Sequence, residues 1–369
     1  MLYNRKRLEA VYLKNPLPKN YDGYICTFDL DKTYLATNFE KLSELIKIPF
    51  ESAEEKINVP GAAALVRELR KPLHPKEKPR PIFFVTGSPQ ELDSVVREKF
   101  ELDGVHVDGI LYKNYRSAIR KLQFKKLVKS IGYKLGALLY ARSHFPLKAD
   151  ELLFGDDSEY DAAIYSLYSD IIRGRLEDFE VMTILKKWDV DKDERDMIAQ
   201  FLQELRENKW KPRDAVKLAF IMMGSGSKPQ DYENLTSRLI PVYNHFQAAL
   251  ILYNQEIISK QSLFRIISEL IGKHHFTLKD FSKSLEDLLA RGLTNKRQVK
   301  RLTKILSKGN PFALPNRILL DVRTEFTSLL SVKDKWPGLK FRKKEEEESK
   351  VDFVKRYISF VPKRRISSR

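Results

Sequence analysis

Between residue 23 and about residue 170, short apolar runs alternate with amphipathic stretches. This pattern predicts βα units around a mainly parallel sheet, because strands that are covered on both faces are short and mostly apolar. The predicted strands are residues 24–28, 81–85, 109–112 and 151–154. Residues 61–70 predict a helix, so we expect a small helical insertion between Tyr34 and Arg80.

After residue 175 the pattern changes to long helical periodicities with almost no strand signal. The sequence therefore predicts a three-layer α/β domain over residues 1–178 and an all-α domain over residues 179–340. A basic tail follows over residues 341–369, and the sequence leaves its order open. We interpret the glycine-rich stretch 224–228 as a loop that ends an apolar helix.

Composition sets limits on the class of protein. A chain of 369 residues with 42% hydrophobic and 11% aromatic content can bury a sizeable core. We find no signal-peptide core and no run long enough to span a bilayer, and the single cysteine, Cys26, excludes an internal disulfide. We therefore expect a cytoplasmic protein with Cys26 packed in a strand. The net charge of +17 favours polyanionic partners, although a basic surface also serves solubility.

Two carboxylates stand where the first predicted strand ends. Asp29 and Asp31 are separated by one residue in the run F-D-L-D-K-T over residues 28–33. Open α/β sheets bind ligands at the carboxyl ends of their strands. Two carboxylates at this spacing suit a division of labour, in which one is an ionised nucleophile and the other is a general acid and base.

Three further signals follow in chain order, each at the end of a predicted strand or just before one. Residues 86–88, Thr-Gly-Ser, offer a hydroxyl and turn amides to phosphate oxygens. Lys134, on a predicted helix, offers an ammonium that stabilises charge on a transferred phosphoryl group. The last predicted strand is followed by several acidic residues, whose carboxylate oxygens are the hard ligands that Mg²⁺ prefers. These acids are Asp156, Asp157, Glu159 and Asp161.

The order D-x-D-x-T, T-G-S, Lys134 and G-D-x-x-x-x-D resembles the haloacid dehalogenase superfamily of phosphohydrolases. Other stretches narrow the resemblance to the phosphatidate phosphatase catalytic domain of the actin-patch type and its bacterial relatives. These stretches are P-G at 60–61, S-P-Q-E-L at 88–92, G-I-L at 109–111, F-P at 145–146 and I-Y at 164–165. The resemblance covers about residues 23–175 and implies a Rossmann-like phosphatase domain.

The resemblance also implies a Mg²⁺-dependent phosphomonoester hydrolase that works through an aspartyl-phosphate intermediate. Asp29 would attack phosphorus and bind Mg²⁺, while Asp31 would protonate the leaving oxygen, activate water and reach the metal through its backbone carbonyl. Thr86 would hold phosphoryl oxygens, and Lys134 would stabilise the nucleophile and the phosphate. Asp156 would ligate Mg²⁺. The residues expected to support it are Asp157 and Asp161, and those expected to contact phosphate include Thr33, Gly87 and Ser88.

Three positions depart from the family pattern, which usually has an acid at Lys32, an aromatic residue at Gln90 and proline at Ala162. They leave the catalytic groups intact and bear on the substrate, so phosphatidate is one candidate among bulky phosphorylated substrates. A protein phosphatase of the same superfamily is an alternative. Another is a catalytically inactive protein whose basic helical half binds nucleic acid or a partner protein.

Basic residues outside these motifs suggest anionic partners. Lys113 and Arg116 follow a predicted strand and are candidate substrate contacts. Residues 297–308 predict a basic amphipathic helix, whose apolar face packs on its own domain or lies on an anionic membrane or along phosphates. The tail around Tyr357 has the same two interpretations. A phosphorylated substrate, with lipid among the candidates, is the expected partner, an anionic membrane surface is a second and nucleic acid a weaker third.

Overall fold

The computed structural model describes residues 8–11, 17–36, 52–75, 77–113, 131–158, 160–208, 210–236, 238–306, 324 and 352–360. Two compact units divide the chain. The first, which we call the sheet unit, comprises Met1–Val59, Arg80–Pro241 and Glu347–Arg369. The second, the helical unit, comprises Pro60–Pro79 and Val242–Glu346. Each unit therefore draws on segments that are far apart in the sequence.

The sheet unit contains a seven-stranded sheet with the order β1-β4-β3-β2-β5-β6-β7. The strands are β1 (Leu8–Val11), β2 (Tyr24–Asp29), β3 (Ile82–Pro89), β4 (Gly109–Lys113), β5 (Asp150–Asp156), β6 (Val216–Met222) and β7 (Leu239–Val242). Neighbouring strands from β4 to β6 pair in parallel, and β1 pairs antiparallel with β4 at one edge. The predicted parallel α/β fold and its four predicted strands are confirmed.

Helices complete both units. In chain order they are α1 (Ala62–Arg70), α2 (Asp93–Leu102), α3 (Ile131–His144), α4 (Asp161–Ile172), α5 (Asp178–Lys187), α6 (Lys192–Glu207), α7 (His245–Asn254), α8 (Lys260–His274), α9 (Leu278–Ala290), α10 (Lys296–Leu306) and α11 (Phe353–Ser359). None of these described helices is long and apolar enough to cross a membrane. The predicted helix at 61–70 is confirmed as α1.

A row of four phenylalanines crosses the centre of the sheet. Phe28 pairs in register with Phe84 and Phe154, and Phe154 pairs with Phe220. Their rings stack, with centroids 4.1 Å apart between Phe28 and Phe154 and 5.1 Å apart between Phe154 and Phe220. Because aromatic pairs add to the free energy of burial, this row fixes the register of the strands that end at the predicted site.

Cys26 lies in β2 and is fully buried. Burial raises the pKa of its thiol to about 12, so the group stays protonated and behaves as a small apolar side chain. The expectation that Cys26 packs in a strand is confirmed.

The expected domain boundary at residue 178/179 differs from the observed division of the chain. Strand β6 pairs in parallel with β5, and α6 packs on α3, so the sheet unit continues to Pro241. We predicted helix before the loop at 224–228, and this is wrong, since residues 216–222 form β6. A short buried strand in which six of seven residues are apolar has no period that distinguishes it from a buried helix.

The tail also contributes to the sheet unit. Helix α11 places the fully buried Tyr357 against α4, where its hydroxyl donates to Asp170 Oδ2 at 2.6 Å. Arg356 and Arg175 pair with the same carboxylate at 3.3 Å and 3.0 Å. Trp188 Nε1 donates to the backbone oxygen of Tyr357 at 3.0 Å. Of the two interpretations of the tail, packing on its own protein is therefore the one observed at Tyr357.

We predict that Tyr357→Phe destabilises the sheet unit by about 1–3 kcal/mol, because it removes the donor to a buried carboxylate. The buried Trp188, which contacts α11, gives a fluorescence signal for urea unfolding. Ser359→Ala, on the exposed side of the same helix, is the control and should change stability by less than about 0.5 kcal/mol. Equal unfolding midpoints for Tyr357→Phe and wild type would contradict the docking of α11.

The helical unit combines the insertion with the C-terminal helices. Helix α1 packs on α8, where Arg67 pairs with Glu269 and Arg265 pairs with Glu68 at 3.1 Å. At the start of α1, Gly61 has a φ of 81° and a Cβ there would lie 2.9 Å from the Leu270 side chain, so both conformation and space require glycine. The insertion therefore belongs structurally to the C-terminal helices.

His245 is a buried titratable group of the helical unit. Its Nδ1 lies 3.0 Å from the Pro60 carbonyl oxygen, an acceptor, so Nδ1 carries a proton. Burial lowers the pKa of His245 from 6.5 to about 4, and the positive charge of His274 acts in the same direction.

Since unfolding restores a pKa near 6.5, the unfolded chain binds the proton more tightly, and stability falls as the pH drops from 6.5 towards 4. We expect a loss of about 3 kcal/mol over this window and none from this group above pH 7. His245→Asn, which can still donate to Pro60, should show a correspondingly shallower pH dependence in urea unfolding. Parallel pH dependences in the two proteins would show that His245 is not buried in its neutral form.

Candidate active site

Three neighbouring strands bring the predicted catalytic residues to one edge of the sheet. Asp29 ends β2, Asp156 ends the neighbouring β5, and Thr86 lies one residue beyond the partner of Asp29 in β3. All three side chains are buried. Parallel strands present their carboxyl ends at the same edge, so residues separated by more than one hundred positions in the chain converge here.

Lys134, on the first turn of α3, links two of the acids. Its Nζ lies 2.8 Å from Asp29 Oδ1 and 2.7 Å from Asp161 Oδ1. The side chain is only 2% exposed, and Asp161 is completely buried. An ammonium in this position holds both carboxylates in fixed orientations, because a buried ion pair with good geometry is costly to break. The predicted role of Lys134 in stabilising the nucleophile and the phosphate remains a prediction.

Asp29, Asp156 and Asp161 form a compact acid cluster. Each offers a carboxylate oxygen, and these three oxygens lie within 4.8 Å of one another. Lys134 places one positive charge beside two of these three buried acids. Like charges at this separation destabilise one another unless a cation or protons intervene. Three hard oxygen donors this close together fit a divalent cation.

Asp161 is itself a member of this cluster, whereas we had expected it only to support the residue that binds the metal. It starts α4, and its Oδ2 accepts the backbone N–H of Asp156 at 3.3 Å while its Oδ1 faces Lys134. A Cβ on Gly155 would lie 2.5 Å from Asp161 Oδ2 and 2.8 Å from Asp161 Cβ. Glycine at position 155 is therefore the condition that lets Asp161 reach the strand end.

Asp31 is set apart from the cluster. It is partly exposed, and its Oδ2 accepts from the Ser88 hydroxyl at 2.8 Å and from the Thr86 hydroxyl at 3.2 Å. The Thr86 hydroxyl in turn accepts the backbone N–H of Ser88 at 2.9 Å. The Thr-Gly-Ser stretch thus holds the second carboxylate of the D-x-D motif. Its predicted contact with phosphate and the predicted contact of the Asp31 carbonyl with a metal remain predictions.

Asp157 points away from the cluster and binds the glycine-rich loop. Its carboxylate accepts the backbone N–H groups of Gly224, Ser225 and Ser227 at 2.9, 2.8 and 3.2 Å. Three backbone N–H groups of this loop thus converge on an anion of the protein itself. Its effect is to tie the end of β5 to the segment that follows β6, a positioning role that the sequence pattern did not reveal.

The remaining predicted contacts fall into three groups. Thr33 is buried and its hydroxyl has no hydrogen-bond partner among the described residues, whereas Gly87 is half-buried. Lys113 is buried, with its Nζ 3.8 Å from Glu194 and 5.9 Å from the centre of the Tyr133 ring. The predicted contact of Lys113 with substrate remains a prediction. Arg116 lies outside the described residues.

The fold and site define an α/β protein with a lysine-bridged acid cluster at the carboxyl ends of its central strands. Residues 25–177 match the family model described as phosphatidate phosphatase APP1, catalytic domain. The match spans every described residue of the predicted site and confirms the resemblance found in the sequence. The sheet unit thus carries a phosphatase domain of the phosphoric monoester hydrolase class. No curated protein and no solved structure gives a significant match.

We predict that Gly155→Ala displaces Asp161 from Lys134, because Asp161 Cβ lies near the backbone of α4 and cannot move independently. Phosphatase turnover should fall about a hundredfold, since a shift of about 1 Å in an active site has effects of this size. Gly224→Ala is the matched control, because a Cβ there meets no atom within 4 Å and the N–H that contacts Asp157 is retained. Similar turnover in the two variants, with equal melting temperatures, would contradict the close packing at Gly155.

Proposed function

We propose that the sheet unit hydrolyses phosphomonoesters through an aspartyl-phosphate intermediate formed on Asp29, with Mg²⁺ as the cofactor. The observation that carries this proposal is the pairing of Lys134 with both Asp29 and Asp161 inside a cluster of three buried acids whose carboxylate oxygens lie within 4.8 Å of one another. A structural ion pair needs one acid and one base, whereas a site that receives a metal and a phosphoryl group requires several converging oxygen donors beside a cation.

Asp29 is the proposed nucleophile because it lies at the end of a central strand and is held beside Lys134. It ends the central strand β2 and is 2% exposed, with its Oδ1 held 2.8 Å from Lys134 Nζ. A carboxylate oxygen fixed in this way can attack phosphorus without first losing its conformational freedom. As the phosphorus–oxygen bond to Asp29 forms, the ammonium of Lys134 stabilises negative charge on the phosphoryl oxygens.

Asp31 is the proposed general acid and base. It is partly exposed and lies beside two hydroxyl donors, Ser88 and Thr86, which orient its carboxylate. In the first step it gives a proton to the leaving oxygen, and in the second it takes a proton from the water that attacks the phosphoryl group on Asp29. The second step releases inorganic phosphate and restores the Asp29 carboxylate and the protonated Asp31.

The acid cluster provides the donors for the proposed metal. Asp29, Asp156 and Asp161 would hold Mg²⁺, a hard cation that prefers carboxylate and water oxygens. Bound Mg²⁺ would reduce the repulsion among these carboxylates and polarise the phosphoryl group. Mg²⁺ is proposed in preference to softer metals because the cluster of described residues contains only oxygen donors.

The proposed substrate is a bulky phosphomonoester, with phosphatidate as the first candidate because the matching family is described by that activity. The departures at Lys32, Gln90 and Ala162 lie in or beside the matched motifs, so a different bulky phosphate, including a phosphoprotein, is the alternative to test. For a phospholipid substrate we propose that the protein is cytoplasmic and binds the membrane peripherally, as its net charge of +17 would favour on an anionic leaflet.

We predict that phosphate release depends on Mg²⁺ and falls by at least about ten-thousandfold in Asp29→Asn, because the amide cannot act as a nucleophile. A panel of an aryl phosphate, phosphatidate and a phosphopeptide would be measured with and without a chelator. Asp193→Asn, a change of the same kind at an exposed position of α6, should leave turnover unchanged. The preferred substrate decides between the lipid and protein alternatives.

The covalent step has a separate signature in Asp31→Asn. With an aryl phosphate, whose leaving group needs little protonation, this variant should still form the intermediate but hydrolyse it slowly. Protein-bound phosphate would then accumulate after an acid quench in Asp31→Asn and be absent from Asp29→Asn. Turnover that persists in Asp29→Asn would overturn the proposed nucleophile, and wild-type protein that neither binds Mg²⁺ nor releases phosphate would favour the inactive binding protein.

A further inference from the structure

The helical unit contains an open pocket of about 650 Å³ that is independent of the phosphatase site. It is formed where α7 ends and α8 begins, with α10 and residues 73–74 completing the wall. Tyr253 and Ile258 provide a buried apolar part of the lining. The volume lies in the range of small-molecule binding sites and far exceeds the space that a single ion needs.

The polar lining of the pocket is strongly basic. Lys260, Arg301 and Lys304 line it together with one acid, Glu256, which leaves a net charge of plus two from these four side chains. Helix α8 begins at Lys260, so the positive end of its dipole adds to the same potential. This charge matches a dianion better than a monoanion such as a carboxylate.

Aromatic rings restrict two of the cations. The guanidinium carbon of Arg301 lies 5.6 Å from the centre of the Tyr253 ring, and Lys260 Nζ lies 5.9 Å from the centre of the Phe264 ring. A guanidinium that is already oriented loses less freedom when it binds the paired oxygens of a phosphate. The pocket is therefore partly preorganised for an oxyanion.

Helix α10 adds further positive charge near the pocket. It carries five basic residues and no acidic residue, and its Val299 and Leu302 are buried. Of the interpretations of this helix in the sequence, packing of the apolar face on its own unit is therefore confirmed at these two residues. Because Val299 and Leu302 are buried, they are not available to insert into a bilayer. The exposed face of the helix attracts anions through its basic residues.

We infer that this pocket is a binding site for a phosphate ester, with Arg301, Lys304 and Lys260 contacting the phosphate and Tyr253 and Ile258 contacting the organic part. The ester is either a soluble phosphomonoester or the head group of a phospholipid, since both present the same chemistry. The inference concerns binding and does not depend on the proposed phosphatase mechanism.

The test uses two double variants of the full-length protein with the same change in charge on the same helix. Arg301→Gln with Lys304→Gln removes two pocket cations, whereas Lys296→Gln with Lys300→Gln removes two exposed cations of α10 outside the pocket lining. The probes are glycerol 3-phosphate in calorimetry, and vesicles of phosphatidylcholine with and without phosphatidate in co-sedimentation. All assays contain a chelator, and equal melting temperatures confirm folding.

We expect the pocket variant to weaken binding of at least one probe about tenfold and the control variant to weaken it less than twofold. Binding of glycerol 3-phosphate with this difference identifies a soluble ester, and the same difference with phosphatidate vesicles alone identifies a lipid head group. Since phosphate can also bind the phosphatase site, the comparison of the two variants is the decisive measurement.

Three results would overturn the inference. Equal losses in the two variants would show that the whole basic face of α10 attracts anions without a defined site. Absence of binding to both probes would show that the pocket has no affinity for phosphate esters. Tighter binding of a single-stranded oligonucleotide, lost equally in both variants and reduced steeply by salt, would instead identify a nucleic-acid surface.

Discussion

The ammonium of Lys134, held between the carboxylates of Asp29 and Asp161, is the interaction on which the rest of the site depends. Three carboxylates buried together would repel one another, and the lysine offsets the repulsion between the two that it contacts. Bringing these acids together is a cost to stability that a bound divalent cation would relieve. Proteins commonly retain such a cost where catalysis requires it, so the convergence of the three acids points to function.

The sheet offsets the energetic cost of this charged edge by burying a row of apolar side chains directly behind it. The stacked rings of Phe84, Phe28, Phe154 and Phe220 cross four neighbouring strands, and Asp29 follows Phe28 immediately. Backbone groups then hold the ends of the strands. The carboxylate of Asp157 accepts three N–H groups from the loop after β6 and so holds the end of β5 to that loop.

In both units, segments that are far apart in the sequence pack against one another. Strand β6 covers what would otherwise be an open edge of β5, and α11 returns from the far end of the chain to pair Tyr357 with Asp170. Burial raises the pKa of Asp170, and Arg175 and Arg356 act against that rise by stabilising the carboxylate. A fragment that ended at residue 178 would lose these contacts, although it contains every residue of the catalytic motifs.

The sequence by itself determined the parallel α/β fold, four strands, the acids at their ends and the phosphatase class, because strand ends and motif spacing are local properties that the chain displays directly. The sequence did not predict β6, since a short apolar run has no period that distinguishes a strand from a helix. It also grouped the insertion and the tail with the segments next to them in the chain. Only the tertiary structure decided that Asp161 joins the acid cluster, that Asp157 binds the loop at 224–227, and that Lys113 pairs with Glu194. These outcomes depend on which side chains meet across strands and helices, and such distances are fixed by packing between distant segments.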